Sequence, residues 1–212
     1  MKVDGVILAG GQSRRMGQDK ALLPLAGRPL LRRVVDVLAP LCDRLILVAN
    51  DPERYAAFGL YTVPDAFAGA GSLGGLYSGL SASAAGAVIA VACDMPFLNA
   101  ALLGYLLEQS EGVDAVVPDL STGAISAGDK PRAKQLELHP LHAVYRRSCL
   151  APIEAQLGAD DLRMMGFFAQ VRVRYVQRAE VLRFDPHCRS LLNLNTPEEW
   201  AEAEAIAAGP SG

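Results

Sequence analysis

Short apolar runs alternate along the chain with longer stretches in which apolar residues recur every three or four positions. Val3 to Leu8 is such a run, ending at a Gly-Gly pair, and it predicts a buried parallel strand that delivers the chain into a loop. From Pro29 to Leu41 the apolar positions Leu30, Leu31, Val34, Val35, Val37, Leu38 and Leu41 fit one helical face, leaving Arg32, Arg33 and Asp36 to solvent. Strands are predicted over Leu45–Ala49, Tyr61–Val63, Ala87–Ala92 and Ala115–Pro118. Helices are predicted over Pro52–Phe58, Leu73–Ser83 and from an Asn99 N-cap through Gln109. Strands alternating with helices imply an α/β fold, a mostly parallel sheet with helices on both faces.

The pattern lapses from Asp119 to Glu137, where Ser, Gly, Ala, Lys, Arg, Asp and Pro sustain neither period. This predicts a surface excursion, expected to be mobile. Beyond it, Leu150–Leu157 and Leu162–Phe168 read as helices, Val171–Val176 as an alternating strand and Val181–Phe184 as a short edge segment. Thr196-Pro197-Glu198-Glu199 carries an N-cap threonine, a proline at the first helical position and a glutamate at N3, so a helix to about Ala207 follows. No internal repeat or linker divides the chain, and a single domain over residues 1–208 with a short tail at 209–212 is expected.

With 212 residues, 51% of them hydrophobic, the chain can bury one substantial core. A net charge of −3, from 20 basic and 23 acidic residues, gives no general reason to expect nucleic acid or an anionic membrane as partner. Any phosphate ligand must be met locally. The cysteines Cys42, Cys93, Cys149 and Cys188 are dispersed, with neither zinc spacing nor the density of a disulfide scaffold. No secretory signal or apolar run of membrane-spanning length is evident, so a cytoplasmic protein is expected.

The chemistry concentrates in the first loop, Ala9-Gly10-Gly11-Gln12-Ser13-Arg14-Arg15-Met16-Gly17-Gln18-Asp19-Lys20. Open α/β sheets bind ligands at the carboxyl ends of their strands. Gly10, Gly11 and Gly17 let backbone N–H groups approach an anion, and Arg14, Arg15 and Lys20 add cations in the same segment, a combination that fits a polyphosphate. Glycines and arginines alone equally fit a solvated basic loop. It is not a Walker A loop, because Ala21 follows Lys20 where a metal-binding hydroxyl is required. Asp94 follows the strand ending at Ala92 and precedes Met95-Pro96, so it emerges into the ligand crevice as a candidate magnesium ligand or as an ordinary turn aspartate. Gly69-Ala70-Gly71-Ser72-Leu73-Gly74 satisfies G-x-G-x-x-G literally, but Pro64 to Ala68 separates it from the preceding strand. It is read as a second close-approach loop or a tight turn. Asn193, Asn195, Arg146 and Arg147 are ambiguous between ligand contact and ordinary surface roles. Tyr145 and Trp200 read as core or boundary aromatics.

Taken as a string, LAGGQSRRMGQDKALLPLAGRPLL resembles the amino-terminal signature of the molybdenum cofactor guanylyltransferases, also called molybdopterin-guanine dinucleotide synthases. PDAFAGAGSLGGLYSGL, ACDMPFL, PLHAVYRRS and LNLNTPEEW are similar to that family in the same order, so the resemblance runs from Val6 to Trp200. It implies a Rossmann-like nucleotidyltransferase fold, GTP and Mg2+ as reactants, and molybdopterin or its molybdenum form as acceptor, with molybdoenzymes or their chaperones as candidate protein partners. It further implies that Leu8, Ala9, Gly10 and Gly11 line the guanosine and that Lys20 and Asp65 hold the nucleotide, while Asn195, from its place before the capped helix, is a candidate for the acceptor end of the crevice or the metal site. Asp94 would bind the metal, and Arg15 would join Lys20 and Asp94 in catalysis. Two positions depart from the family pattern: Ser72 stands where proline usually precedes Leu73, and Val48 stands where an asparagine can contact the nucleotide. Asn50 is close to that position but out of register. The alternatives are a CTP-dependent molybdopterin or nucleotide-sugar transferase, and a non-catalytic cofactor-delivery protein.

Overall fold

The computed structural model describes residues 1–9, 19–67, 69–121 and 137–209. Its centre is a seven-stranded sheet in the order β5-β4-β1-β6-β8-β7-β9. The strands are β1 (Val3–Leu8), β4 (Arg44–Val48), β5 (Tyr61–Val63), β6 (Ala87–Ala92), β7 (Ala115–Asp119), β8 (His142–Tyr145) and β9 (Val173–Gln177). β5, β4, β1 and β6 pair parallel, as do β7 and β9, while β8 runs antiparallel to both of its neighbours. β1 and β6 are buried along their whole length, which is why both are continuous apolar runs rather than alternating ones.

One face of the sheet is covered by α1 (Leu30–Leu38) and α3 (Ala100–Glu108), the other by α2 (Gly71–Ala82) and α4 (Leu150–Gly158). On the first face Leu31, Val34 and Leu38 pack with Ile7, Leu47 and Val91; on the second, Leu73, Leu76 and Leu80 pack with Val6, Ile46 and Val88. α2 lies very close to β1: a Cβ on Gly79 would stand 2.3 Å from Cγ1 of Val6, and one on Gly75 would stand 2.6 Å from Cδ2 of Leu8. These glycines therefore serve helix-on-strand packing. The preceding turn uses Gly69 and Gly71 at φ 88° and 60°, conformations that favour glycine. The helix thus begins two residues earlier than its apolar period predicts.

A two-stranded hairpin, β2 (Pro24–Leu25) with β3 (Arg28–Pro29), turns the chain from the first loop into α1. α6 (Pro197–Ala208) docks on it through Leu25, Leu30, Trp200 and Ala203, capped as predicted by Thr196, whose hydroxyl accepts the Glu199 N–H. Among the described residues, no helix is long and apolar enough to cross a membrane.

Three expectations are corrected. Leu162–Phe168 is not an α-helix: the side-chain amide of Gln156 donates to the carbonyls of Asp161 and Arg163, holding the backbone open until a 3-10 turn at Gly166–Gln170 buries Phe167 and Phe168. Val181–Phe184 is not an edge segment, because a capping box between Gln177 and Glu180 starts the short helix α5 (Arg178–Val181) and turns follow it. The excursion is shorter than expected at its amino end. Asp119 completes β7 opposite Gln177 and is fully buried, Leu120 N–H donates to Glu137 O at 3.0 Å, and residues 122–136 lie outside the described residues. β8 is an element that periodicity did not predict.

Candidate active site

Four parallel strands end at one level. Leu8 is in register with Val48 on one side and Ala92 on the other, and Val48 with Val63. The residues that follow, Ala9, Asn50, Cys93 with Asp94, and Asp65, therefore share one rim of the sheet. With strands spaced by about 4.8 Å, the exits of β5 and β6 lie roughly 14 Å apart. This rim is the switch-point crevice of an open α/β sheet.

At the β6 end, Lys20, Asp94, Asn193 and Asn195 converge with Leu8, Ala9, Ser72, Ala92, Cys93 and Leu141 around a cleft. Lys20 Nζ donates to Asn195 Oδ1 at 3.0 Å and stands 4.0 Å from Asp94 Oδ2, a charge contact too long for a hydrogen bond. Asn193 Nδ2 donates to the other carboxylate oxygen at 3.3 Å, and Leu194 N–H donates to the Asp94 carbonyl at 3.0 Å. The segment before α6 is in this way laced to the exit of β6. Asp94 and Lys20 keep 17% and 14% of their side-chain surface exposed, enough to meet a ligand but little water. Burial holds the Asp94 carboxyl above its usual range, with Lys20 pulling the other way. Among the described residues, this desolvated carboxylate is met by an ammonium at 4.0 Å and an amide at 3.3 Å, contacts long enough to admit a further cation.

Cys93 beside it is no thiolate: burial first, then the charges of Asp94 and Asp19, push its thiol well up.

At the β5 end, Asp65 is committed locally. Its Oδ1 accepts Phe67 N–H at 3.0 Å and lies 3.4 Å from the Ser78 hydroxyl, which in turn accepts Ala66 N–H at 2.9 Å. Asn50 Oδ1 accepts Asp65 N–H at 2.8 Å. The asparagine set aside as out of register thus reaches the rim because it lies two residues past Val48, beyond the end of β4.

Of the residues singled out from sequence, Leu8, Ala9, Lys20, Asp94 and Asn195 are brought together, with Asn193 joining them. Asp65 occupies the opposite end of the rim. Gly10, Gly11, Arg14 and Arg15 lie outside the described residues. Arg146 and Arg147 have structural roles: Arg146 Nε donates to Ser110 O at 2.9 Å, and Arg147 reaches the carbonyls of Leu80 and Ser83 at the carboxyl end of α2. Tyr145 is buried with its hydroxyl on Pro140 O. Leu141 lines the cleft without having been singled out from sequence, and Tyr55, treated below, stands behind it. No cluster of three or more potential metal ligands occurs among the described residues, so a cation here would rest on the Asp94 carboxylate and on substrate oxygens. That donor set fits magnesium, which keeps waters and is bound through one or two carboxylates plus phosphates.

Residues 5–173 match the family described as the MobA-like NTP transferase domain. The chain is 38% identical over 207 residues to a probable molybdenum cofactor guanylyltransferase of Pelotomaculum thermopropionicum, covering 98% of this chain and 94% of that protein. It is 36% identical over 210 residues to the molybdenum cofactor guanylyltransferase of Desulfosudis oleivorans, covering 98% and 97%. In fold it resembles molybdopterin-guanine dinucleotide biosynthesis protein A of Archaeoglobus fulgidus, with a TM-score of 0.79, 24% identity and coverage of 97% and 98%. A 4-diphosphocytidyl-2C-methyl-D-erythritol synthase of Anaerococcus prevotii shares the same architecture at a TM-score of 0.70 and 17% identity, covering 98% and 96%. The family match over residues 5–173 and the identity to these relatives over nearly the whole chain place it in the MobA-like NTP transferase family, among the molybdenum cofactor guanylyltransferases.

Proposed function

We propose that this chain transfers GMP from GTP to molybdopterin, forming the guanine dinucleotide cofactor and releasing pyrophosphate, with magnesium as the required cation. The observation that carries the reading is the corner where Lys20, Asp94 and Asn195 meet at the exit of β6. Its rim extends toward Asn50 and Asp65 far enough to lay a nucleotide across it. A guanosine held near the exits of β1, β4 and β5 leaves its phosphates at Lys20 and Asp94.

The attacking group is the terminal phosphate oxygen of molybdopterin, and the bond broken joins the α-phosphorus of GTP to its bridging oxygen. No general base is required, since a phosphate monoester has a second pKa near 6 and is largely ionised at neutral pH. The barrier is repulsion between polyanions. Lys20, aimed into the crevice by Asn195, neutralises triphosphate charge. Asp94 would hold magnesium, and Asn193 keeps the carboxylate turned toward the crevice. Magnesium supplies neutralisation of the phosphate oxygens. Arg15, by its charge, would stabilise the departing pyrophosphate. Leu8 and Leu141 form the apolar wall that limits water around the reacting phosphates.

This reading makes the chain a cytoplasmic enzyme whose reaction is contained in one domain over residues 1–208. Molybdoenzymes or their chaperones are the expected recipients of the product.

The test is the fate of label. With molybdopterin, magnesium and GTP labelled in its α-phosphate, label should enter the dinucleotide while unlabelled pyrophosphate is released. Label recovered only in GTP or free GMP would contradict the proposal.

A further inference from the structure

The connection that leaves β4 touches both ends of the rim. At one end, Asn50 holds the backbone of Asp65. Five residues later the Tyr55 hydroxyl donates to Oδ2 of Asp19, the residue immediately before Lys20. The other oxygen of Asp19 accepts Ala21 N–H at 3.1 Å, capping the 3-10 turn Lys20–Leu22. Tyr55 is 4% exposed, and its ring lies in the same apolar cluster as Ala21 and Ala49. The core therefore fixes the ring, the ring fixes the hydroxyl, and the hydroxyl fixes the carboxylate from which the Lys20 turn starts. Arg54 also approaches Asp19 Oδ2, at 3.4 Å, but its side chain is half exposed and pairs with Asp51 at 3.1 Å.

We propose that Tyr55 is a positioning residue for the transfer reaction: acting through Asp19, its hydroxyl sets where the Lys20 ammonium enters the crevice. The inference rests on the reading of Lys20 as the phosphate-facing cation. A lysine side chain has many rotamers, and Asp94 at 4.0 Å grips this one loosely, so among the described residues the ammonium is placed by its backbone origin and by its hydrogen bond to Asn195. Burial, the hydrogen bond to Asp19 and the Asp19 charge all push the Tyr55 phenol up, so it remains a donor throughout the neutral range. Small misplacements of groups that contact phosphate are costly, because the benefit of an oriented charge falls steeply with geometry.

A double-mutant cycle tests it. Tyr55→Phe keeps the ring and removes only the hydroxyl; Lys20→Ala removes the group it is argued to place. kcat, KM for GTP and thermal unfolding are measured for both single variants and the pair. Tyr55→Phe is expected to raise KM and lower kcat, with a combined loss on the order of tenfold in kcat/KM. In the Lys20→Ala background the same change is expected to cost less than about twofold, since its route of action is gone. Asp19→Asn, which keeps an acceptor for Ala21 N–H while weakening the one facing Tyr55, should show the same dependence on Lys20, and it carries the test should Tyr55→Phe fail to fold. An equal loss in both backgrounds would assign Tyr55 to general stability and overturn the proposal. So would normal kinetics of Tyr55→Phe beside a crippled Lys20→Ala. Normal kinetics of Lys20→Ala would instead overturn the reading of the crevice itself.

Discussion

The two ends of the rim each present an aspartate at a strand exit, yet they are built to opposite ends. Asp65 is tied into its turn on one side: its Oδ1 accepts Phe67 N–H and lies 3.4 Å from the Ser78 hydroxyl, and its backbone N–H is held by Asn50, which together give the turn before α2 one shape. Asp94 is desolvated, and its side-chain partners among the described residues stand off, an amide at 3.3 Å and an ammonium at 4.0 Å. A carboxylate satisfied by its neighbours shapes a surface. One kept dry carries a desolvation cost, seen in its raised pKa, that a bound cation would offset. A shared residue type at a shared place in the fold thus says little about role until the surrounding partners are known.

Asp94→Asn should break the comparison hardest. Transfer is expected to fall on the order of a hundredfold or more, because the amide preserves shape and removes the charge that would hold magnesium. Stability should move the other way or not at all. The folded-state pKa of Asp94 lies above its unfolded value, so between the two the native state binds more protons, stability falls as pH rises through that window, and above it the buried charge carries a standing cost. Removing the charge at neutral pH should leave thermal unfolding unchanged or raise its midpoint. Near-normal turnover at limiting magnesium would remove Asp94 from the metal site.

Asp65→Asn should have a smaller effect and a different kinetic form. The amide retains an acceptor for Phe67 N–H, so KM for GTP is expected to rise several-fold with kcat within about a factor of three. A loss equal to that of Asp94→Asn, in kcat alone, would show that the two ends are not distinct.

The smallest effect on turnover is expected beneath the β6 end, at His142 of β8. This imidazole is fully buried and neither ring nitrogen has a hydrogen-bond partner among the described residues. Burial, with a contribution from His139 and against the pull of Asp185 and of a poorly aligned contact with the Ser190 backbone, pushes its pKa from 6.5 to about 3. Unfolded chains bind the proton that the native state refuses, so stability is lost as pH falls from 6.5 toward about 3, by up to about 1.4 kcal/mol for each unit crossed. His142→Leu should flatten that acid limb in urea unfolding series while leaving turnover at neutral pH within about twofold. An unchanged acid limb would show that the ring is solvated or paired in solution.

Much of this organisation was legible in the sequence, unevenly. The parallel strands β1 and β6 were visible because burial on both faces demands unbroken apolar runs, β4 and β5 by their short β-branched and apolar stretches, and Asp94 because it lies just past the end of β6. β8 was hidden: its four residues include His142, which breaks the apolar signal, and its partners lie on strands far away in sequence. The Leu162–Phe168 stretch carries a helical spacing that Gln156 overrides from the neighbouring helix, a tertiary contact that no local pattern contains. Within the site, a loop motif pointed to Lys20, but its partner Asn195 stands 175 residues away and the Tyr55–Asp19 contact spans 36, so neither pairing could be read from spacing. Counting along β4 could not place Asn50, because the strand ends at Val48 and the chain turns beyond it to reach the Asp65 backbone.

The central claim is that this crevice transfers GMP from GTP, and it is tested most directly by the choice of base. The protein is incubated with molybdopterin, magnesium and each nucleoside triphosphate in turn, while pyrophosphate is followed. The account predicts pyrophosphate release with GTP, matched by formation of the dinucleotide, and at least about a hundredfold lower kcat/KM with CTP and ATP, since a site that hydrogen-bonds one base leaves polar groups unpaired with another. Equal turnover with CTP, or no pyrophosphate with GTP, would contradict it.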